Sequence, residues 1–281
     1  MKNINIGLGG GSLFQQSNGS LTQMMSYIID CPGGGCIVID GGFYCTEDAQ
    51  KLYSMLCERG KKVDYWFITH AHDDHFGAML YLAENGKFDI EVENLCFNFP
   101  SWEWLSKKED ADFNERFLKF TDSLNTNVIT VNAGDVFEKG GITVEVLSVP
   151  EEYENYPNIN STSIILKVRF PQRDVLFLGD FDEYAEAEFL RKHDSDKLKC
   201  EIVQMAHHGQ NGVTQEFYKL IAPKVCLYTA PQWLWENNHY RCTNPETRGQ
   251  GPFTIMETRR WMDELGVKES YTQADGDIIF E

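Results

Sequence analysis

The sequence is short of positive charge. It sets only 25 Lys and Arg against 43 Asp and Glu, a formal net charge of −18 over 281 residues. That balance argues against broad binding to nucleic acid or to an anionic membrane, because few cations are left to neutralise phosphates. It leaves open an acidic site that holds metal cations. Long hydrophobic runs are also missing: nothing approaches the ~18 consecutive apolar residues of a membrane helix. The opening stretch, MKNINIGLGGGSLFQQ, has one Lys and no apolar h-region, so no signal peptide is expected and the cytoplasm is the expected compartment. None of the eight cysteines sits in a C-x-x-C pair, and in a chain of this length free, mostly buried thiols are expected. Asn18-Gly19-Ser20 and Asn160-Ser161-Thr162 match glycosylation acceptors, but without secretion they are chance matches. No linker, repeat or low-complexity block divides the chain, so residues 1–281 are expected to form one domain. What is present is core material: 42% of residues are hydrophobic and 13% aromatic, which rules out a disordered chain.

The pattern alternates strands, turns and helices. Residues 27–30 and 36–39 read as paired strands around the turn Pro32-Gly33-Gly34-Gly35. Thr46 is expected to cap a helix running to about Arg59, with Gly60 as its stop. An apolar strand over 63–68 ends at Thr69, followed by a helix over 77–84 and a strand over 90–99. Residues 101–126 read as a helical insertion with Phe113, Phe117, Leu118 and Phe120 grouped. Their helical spacing favours packing into the core, and the alternative is a lid over the site. Further strands are expected over 128–131, 136–137, 142–148, 163–170, 175–178, 201–206, 225–229 and 278–280. Helices are expected over 183–192, 214–221 and 253–265. This rhythm implies an α/β fold with two sheets packed together and helices outside.

Only seven histidines occur, and five of them fall in two clusters. The first is Thr69-His70-Ala71-His72-Asp73-Asp74-His75-Phe76-Gly77, between an apolar strand and a helix. Alternate residues at a strand end point to one side, so His70 and His72 can share a cation. Asp74 and His75 can then reach a second cation from the start of the helix. Imidazole with carboxylate suits Zn²⁺, Mn²⁺ or Fe. The second cluster, Ala206-His207-His208-Gly209, also follows a strand. Asp180, in Leu178-Gly179-Asp180, stands at another strand end, where it is a site residue or a helix cap. Asp40, in Ile39-Asp40-Gly41-Gly42, can orient a ligand His or belong to an ordinary turn. His193 lies in a charged run and reads as a solvated helix residue, and His239 reads more naturally as an exposed loop residue than as a site residue.

Taken together, these motifs resemble one family. Thr69 to His75 is similar to the T-H-x-H-x-D-H motif of the metallo-β-lactamase fold hydrolases, and the Asp-Gly-Gly, Gly-Asp and late His follow in the family's order. The resemblance spans about residues 25–230 and implies a four-layer αββα sandwich of two mixed sheets flanked by helices. It also implies one or two zinc ions, with Mn or Fe possible. The run from Ala133 to Pro150, Asn160-Ser161-Thr162-Ser163 and Ala206-His207-His208-Gly209 resemble a narrower branch, the hydrolase domain of DNA-uptake competence proteins. Two features depart from these patterns. Many family members carry another metal-binding His in the middle of the chain, but residues 156–160 contain none. The competence branch often has Asp where His72 stands.

On this resemblance, His70, His72 and Asp180 would hold the first metal, with Asn160 near it. Asp74, His75 and a late His would hold the second, with Asp180 bridging. The motif leaves His207 and His208 open as ligands, and His207 is preferred as the nearer to the strand end. Asp74 is also expected to act in catalysis, and His208 or His239 to bind substrate or protonate the leaving group. The expected activity is hydrolysis of a small phosphoester. Alternatives are another small ester, lactone or thioester, an iron-carrying redox or sensor module, or a metal-binding scaffold without catalysis. A small molecule is the expected partner, and long nucleic acid is disfavoured.

Overall fold

A computed structural model describes residues 1–17 and 21–281, so the Asn18-Gly19-Ser20 match lies outside the described residues. The first strands are β1 (Lys2–Ile4), β2 (Ser12–Gln15), β3 (Ser26–Asp30), β4 (Cys36–Asp40), β5 (Lys62–Phe67), β6 (Glu91–Phe97) and β7 (Asn127–Thr130). They are followed by β8 (Val136–Lys139), β9 (Ile142–Ser148), β10 (Ile165–Arg169), β11 (Asp174–Phe177), β12 (Ile202–Gln204), β13 (Val225–Tyr228), β14 (Glu269–Thr272) and β15 (Ile278–Phe280). One sheet has the order β1-β15-β2-β3-β4-β5-β6-β7, and the other β14-β13-β12-β11-β10-β9-β8. Both are mixed. Strands β4 to β7 run parallel, as do β11 to β14, while β2-β3-β4 and β8-β9-β10-β11 are antiparallel.

The sheets pack face to face because each turns one apolar face inward. In β9, Ile142, Val144 and Val146 meet Tyr27, Phe67 and Phe177 between the sheets, whereas Thr143 and Glu145 are only half-buried. The opposite faces are covered by helices. Over the first sheet lie α1 (Thr46–Cys57), α2 (Asp73–Glu84) and the pair α3 (Trp102–Leu105) and α4 (Ala111–Ser123). Leu52, Phe76 and Phe117 from α1, α2 and α4 cluster there with Trp66 and Leu95. Over the second lie α5 (Glu183–Lys192), α6 (Gln215–Ile221), α7 (Gln232–Trp235) and α8 (Ile255–Glu264), which bury Phe189, Phe217, Trp233 and Met262 against Leu176 and Tyr228. The result is the four-layer αββα sandwich. Each such large apolar side chain stabilises the fold by about 1.5–3 kcal/mol.

Several local expectations shift. Cys45, not Thr46, caps α1: its backbone is extended and its sulfur accepts from the Asp48 N–H at 3.5 Å, while Thr46 is already helical. α2 starts at Asp73 rather than Gly77, with Asp73 and Asp74 in the first turn, where the positive end of the helix favours acids. The strand expected from 163 begins at Ile165, because a 3-10 turn over Asn160–Thr162 takes up the preceding chain. The strand expected over 201–206 shortens to β12. β1, β2, β14 and α7 were not expected. Of the insertion's aromatics, Phe117 is core, Phe113 and Phe120 pack partly buried against it, and Trp102 is 43% exposed. Phe117 is fully buried, with its ring centroid 4.3 Å from that of Phe76. All eight cysteines are free, and only Cys57 is exposed. Among the described residues, no helix is long and apolar enough to cross a membrane.

Candidate metal centre

The chemistry-bearing side chains gather where parallel strands of both sheets end. The chain leaves β4 at Asp40, β5 at Thr69 and His70, β11 at Asp180 and β12 at His207 and His208. Gly179 lets the ends of β11 and β5 approach. Its φ is +55°, and a Cβ there would lie 3.0 Å from the Thr69 hydroxyl. The Gly179 carbonyl accepts from the His207 N–H at 3.0 Å, which ties the end of β12 to the same point.

Two groups of donors result. His70, His72 and Asp180 form one, and Asp74, His75 and His208 the other; within each, one donor atom per residue lies within 4.8 Å of the rest. His70 Nε2 is 3.1 Å from His72 Nδ1. Asp180 stands between the groups, with Oδ1 3.3 Å from His75 Nε2 and Oδ2 3.6 Å from His208 Nε2. His75 Nε2, His208 Nε2 and Asp180 Oδ1 are buried without a properly directed hydrogen-bond partner. Stranding three buried polar atoms is costly. A divalent cation would satisfy them, and an imidazole–carboxylate donor set suits zinc, manganese or iron. The residues present therefore fit a metal.

Backing groups decide which nitrogen faces inward. Asp40 Oδ2 accepts from His75 Nδ1 at 2.9 Å, and Asp40 Oδ1 accepts from the Thr69 N–H at 2.8 Å. Asp40 thus orients His75, in a backbone conformation with φ 58°. The Thr229 carbonyl accepts from His208 Nδ1 at 3.0 Å. Both contacts leave Nε2 free for a cation. For His72 the roles reverse: Nε2 lies 3.3 Å from Glu109 Oε1, and Nδ1 faces the group.

The electrostatics follow from this crowding. Burial, then the positive field of His75, pushes the His70 pKa well below its usual value. Burial also opposes charge on His75, but Asp40, Asp180 and Asp74 outweigh it and raise its pKa well above the ordinary range. His208 is raised too, since burial is overcome by Asp180 and Asp74. Burial opposes charge on Asp180, yet His208, His75 and His207 hold its pKa well below the normal carboxylate range. Without a cation, the buried carboxylates favour the protonated forms of His75 and His208.

The late histidine whose ring lies with Asp74 and His75 is His208, whereas His207, the one nearer the strand end, lies toward Asp180 and Asn160. His207 and His208 both have left-handed backbone, with φ 49° and 57°, so strand alternation stops at Ala206 and the second ring turns inward. The His207 ring is 23% exposed, with Nε2 3.7 Å from Asp180 Oδ2 and 3.3 Å from Asn160 Nδ2. Its Nδ1 donates to the Asn211 carbonyl at 3.1 Å. Asn160 is therefore brought to the centre's edge, with a buried Oδ1 that has no partner. His239 is exposed in the loop after α7, and among the described residues no hydrogen bond or ion pair joins its side chain to the donors. Sequence reasoning missed Glu109 and the Thr229 carbonyl. Neither carries a motif signal: one is an ordinary acid in a charged insertion, the other a backbone group.

The family model of the metallo-beta-lactamase superfamily matches residues 21–226, and the chain belongs to that superfamily. No curated protein matches it significantly. Among solved structures, the metallo-beta-lactamase fold protein YhfI from Bacillus subtilis is 14% identical with a TM-score of 0.55, covering 96% of this chain and 99% of that one. CmlA, a diiron beta-hydroxylase from Streptomyces venezuelae, is 14% identical with a TM-score of 0.56. That match covers 93% of this chain but 52% of CmlA, so the chain spans about half the length of that relative. At these identities the likeness is one of fold.

Proposed function

We propose that this protein is a metal-dependent hydrolase of a small phosphoester, with residues 1–281 acting as one domain. The observation that carries the reading is Asp180 standing between two donor groups, with its own Oδ1 and the Nε2 atoms of His75 and His208 buried and unpartnered. In this reading His70, His72 and Asp180 hold one ion, and Asp74, His75 and His208 the other, with zinc as the first choice and manganese or iron as alternatives. Such ions lower the pKa of water and neutralise charge on the attacked group. Asp40 and the Thr229 carbonyl orient His75 and His208. In this reading Asp74, 19% exposed, would also steer the attacking water.

Beside the centre opens a cleft of about 600 Å³, whose walls include His207, Asn160, Asn158 and Asn211. The described walls include no Lys or Arg, which suits a small substrate better than a polyanion. His207 replaces His208 as the histidine that faces substrate. The resemblance of Asn160-Ser161-Thr162-Ser163 and Ala206-His207-His208-Gly209 to the competence-protein branch supports a phosphoester over a lactam. A metal-binding scaffold without catalysis is the second reading, favoured by the amide of Asn160 at the edge of the first group, in a stretch with no histidine. Metal content and turnover of a chromogenic phosphodiester, measured on one preparation, separate the two. Bound metal with turnover supports the hydrolase. Stoichiometric metal with no turnover on phosphoesters, carboxylic esters, lactones or thioesters contradicts it.

A further inference from the structure

The turn between α3 and α4, residues 106–110, belongs to the insertion, far in sequence from any motif. Three consecutive side chains of this turn nevertheless reach the centre or the loops around it. Lys108 Nζ donates to the carbonyls of Tyr156 and Pro157, each at 3.1 Å, and lies 4.3 Å from the centroid of the Trp104 ring. Glu109 Oε1 accepts from the Ile159 N–H at 3.1 Å and from His72 Nε2 at 3.3 Å. Asp110, held at φ 57°, places Oδ2 3.5 Å from the Asp73 N–H. Beneath the turn, Leu105 packs with Ala71 and Ile159, all three fully buried, and Phe99 and Trp104 lie against them. The turn is thus anchored to two segments at once: residues 71–73, which carry His72, and residues 156–160, which lead to Asn160.

We propose that Glu109 is a positioning residue of the first donor group, and that the insertion serves the metal centre as a clamp. The inference rests on the metal reading above. Imidazole offers two nitrogens, and a metal ligand must present one of them unprotonated while the other is held. A carboxylate can only accept, so the contact with Glu109 keeps the proton of His72 on Nε2 and turns Nδ1 toward His70 and Asp180. The same oxygen takes the Ile159 N–H, so the carboxylate is itself fixed from a second direction. Glu109 therefore does for His72 what Asp40 does for His75, but from a partly exposed position: its side chain is 47% exposed, against 1% for Asp40.

The test is a zinc titration of the full-length protein against a competing chelator, for the parent, Glu109→Ala and Glu109→Gln, with the melting midpoint of the metal-free forms as a second readout. Glu109→Ala is expected to weaken one of the two zinc ions by about 10–100-fold, the usual effect of removing such a partner, and to leave the other unchanged. Glu109→Gln keeps an accepting oxygen toward His72 and is expected to fall between the parent and Glu109→Ala. The metal-free midpoints should coincide. Two zinc ions bound as tightly by Glu109→Ala as by the parent overturn the inference and leave the hydrolase reading standing. A loss of affinity matched by a drop in the metal-free midpoint assigns Glu109 a structural role and also overturns it. A parent that binds no zinc overturns the metal reading itself, and this inference with it.

Discussion

The two donor groups use the same side-chain types but sit in different surroundings. In the second group His75 and His208 are at most 1% exposed and are backed by a buried carboxylate and a buried carbonyl. In the first group His70 is sealed, but His72 is 15% exposed and leans on a carboxylate at the surface. His207 and Asn160, beside it, face the cleft. Charge-assisted contacts strengthen as water is excluded, and a fixed ligand loses less freedom on binding. On the proposed reading, the backing of its two histidines would let the second group retain an ion even though Asp74 is 19% exposed, and the first would hold one more loosely beside the cleft that His207 and Asn160 line.

Asp180 belongs to the first group and stands within 3.6 Å of His75 and His208 in the second, so removing it should have the largest effect. Asp180→Ala is expected to cost metal in both groups and to reduce turnover by more than the 10–100-fold typical of supporting partners. Full metal content and normal turnover in that variant would show that Asp180 bridges nothing. Next comes Asp40→Ala, which strands a buried, charged His75. It should destabilise the metal-free protein by about 3–5 kcal/mol in denaturant unfolding, as breaking a buried pair does. A loss under 1 kcal/mol, about the ceiling for an exposed pair, would contradict the sealed character of the Asp40–His75 pair.

The groups should also differ in their response to pH. In the second group the neighbouring carboxylates overcome burial and raise both His75 and His208. In the first only His72 is raised, where Glu109 leads in overcoming burial, and burial pushes His70 down, so a cation has more proton to displace from the second group. Metal affinity of the second group should therefore fall as pH drops, with proton release on binding. Calorimetry in buffers of different ionisation enthalpy measures that release, and none at pH 7 would reverse the assignment. The smallest effect separates the paired histidines. His208→Ala should remove one ion, while His207→Ala should keep both and raise KM. Loss of an ion from His207→Ala alone would restore the ligand choice that its place in the sequence suggested.

What could be read in advance follows from the range of the interactions. His70, His72, Asp74 and His75 are legible because strand alternation and one helical turn, both local, bring them together. β9, α5 and β15 fall on the residues expected, since β9 alternates and Asp182 caps α5 with its carboxylate. β1 and β14 escaped notice because Lys2–Ile4 and Glu269–Thr272 are short, largely exposed sheet-edge strands with little apolar pattern. The choice between His207 and His208 depended on two successive left-handed residues, a conformation that no glycine announces at either position. Glu109 reaches His72 across 37 residues, through the packing of Leu105 on Ala71 and Ile159, and only the folded chain shows that contact.

The most direct test of this account is the number and affinity of zinc ions held by the full-length protein, read by native mass spectrometry during chelator titration. The account predicts two ions of unequal affinity, both weakened in Asp180→Ala. No ion, or two ions of equal affinity that are indifferent to Asp180, would contradict it.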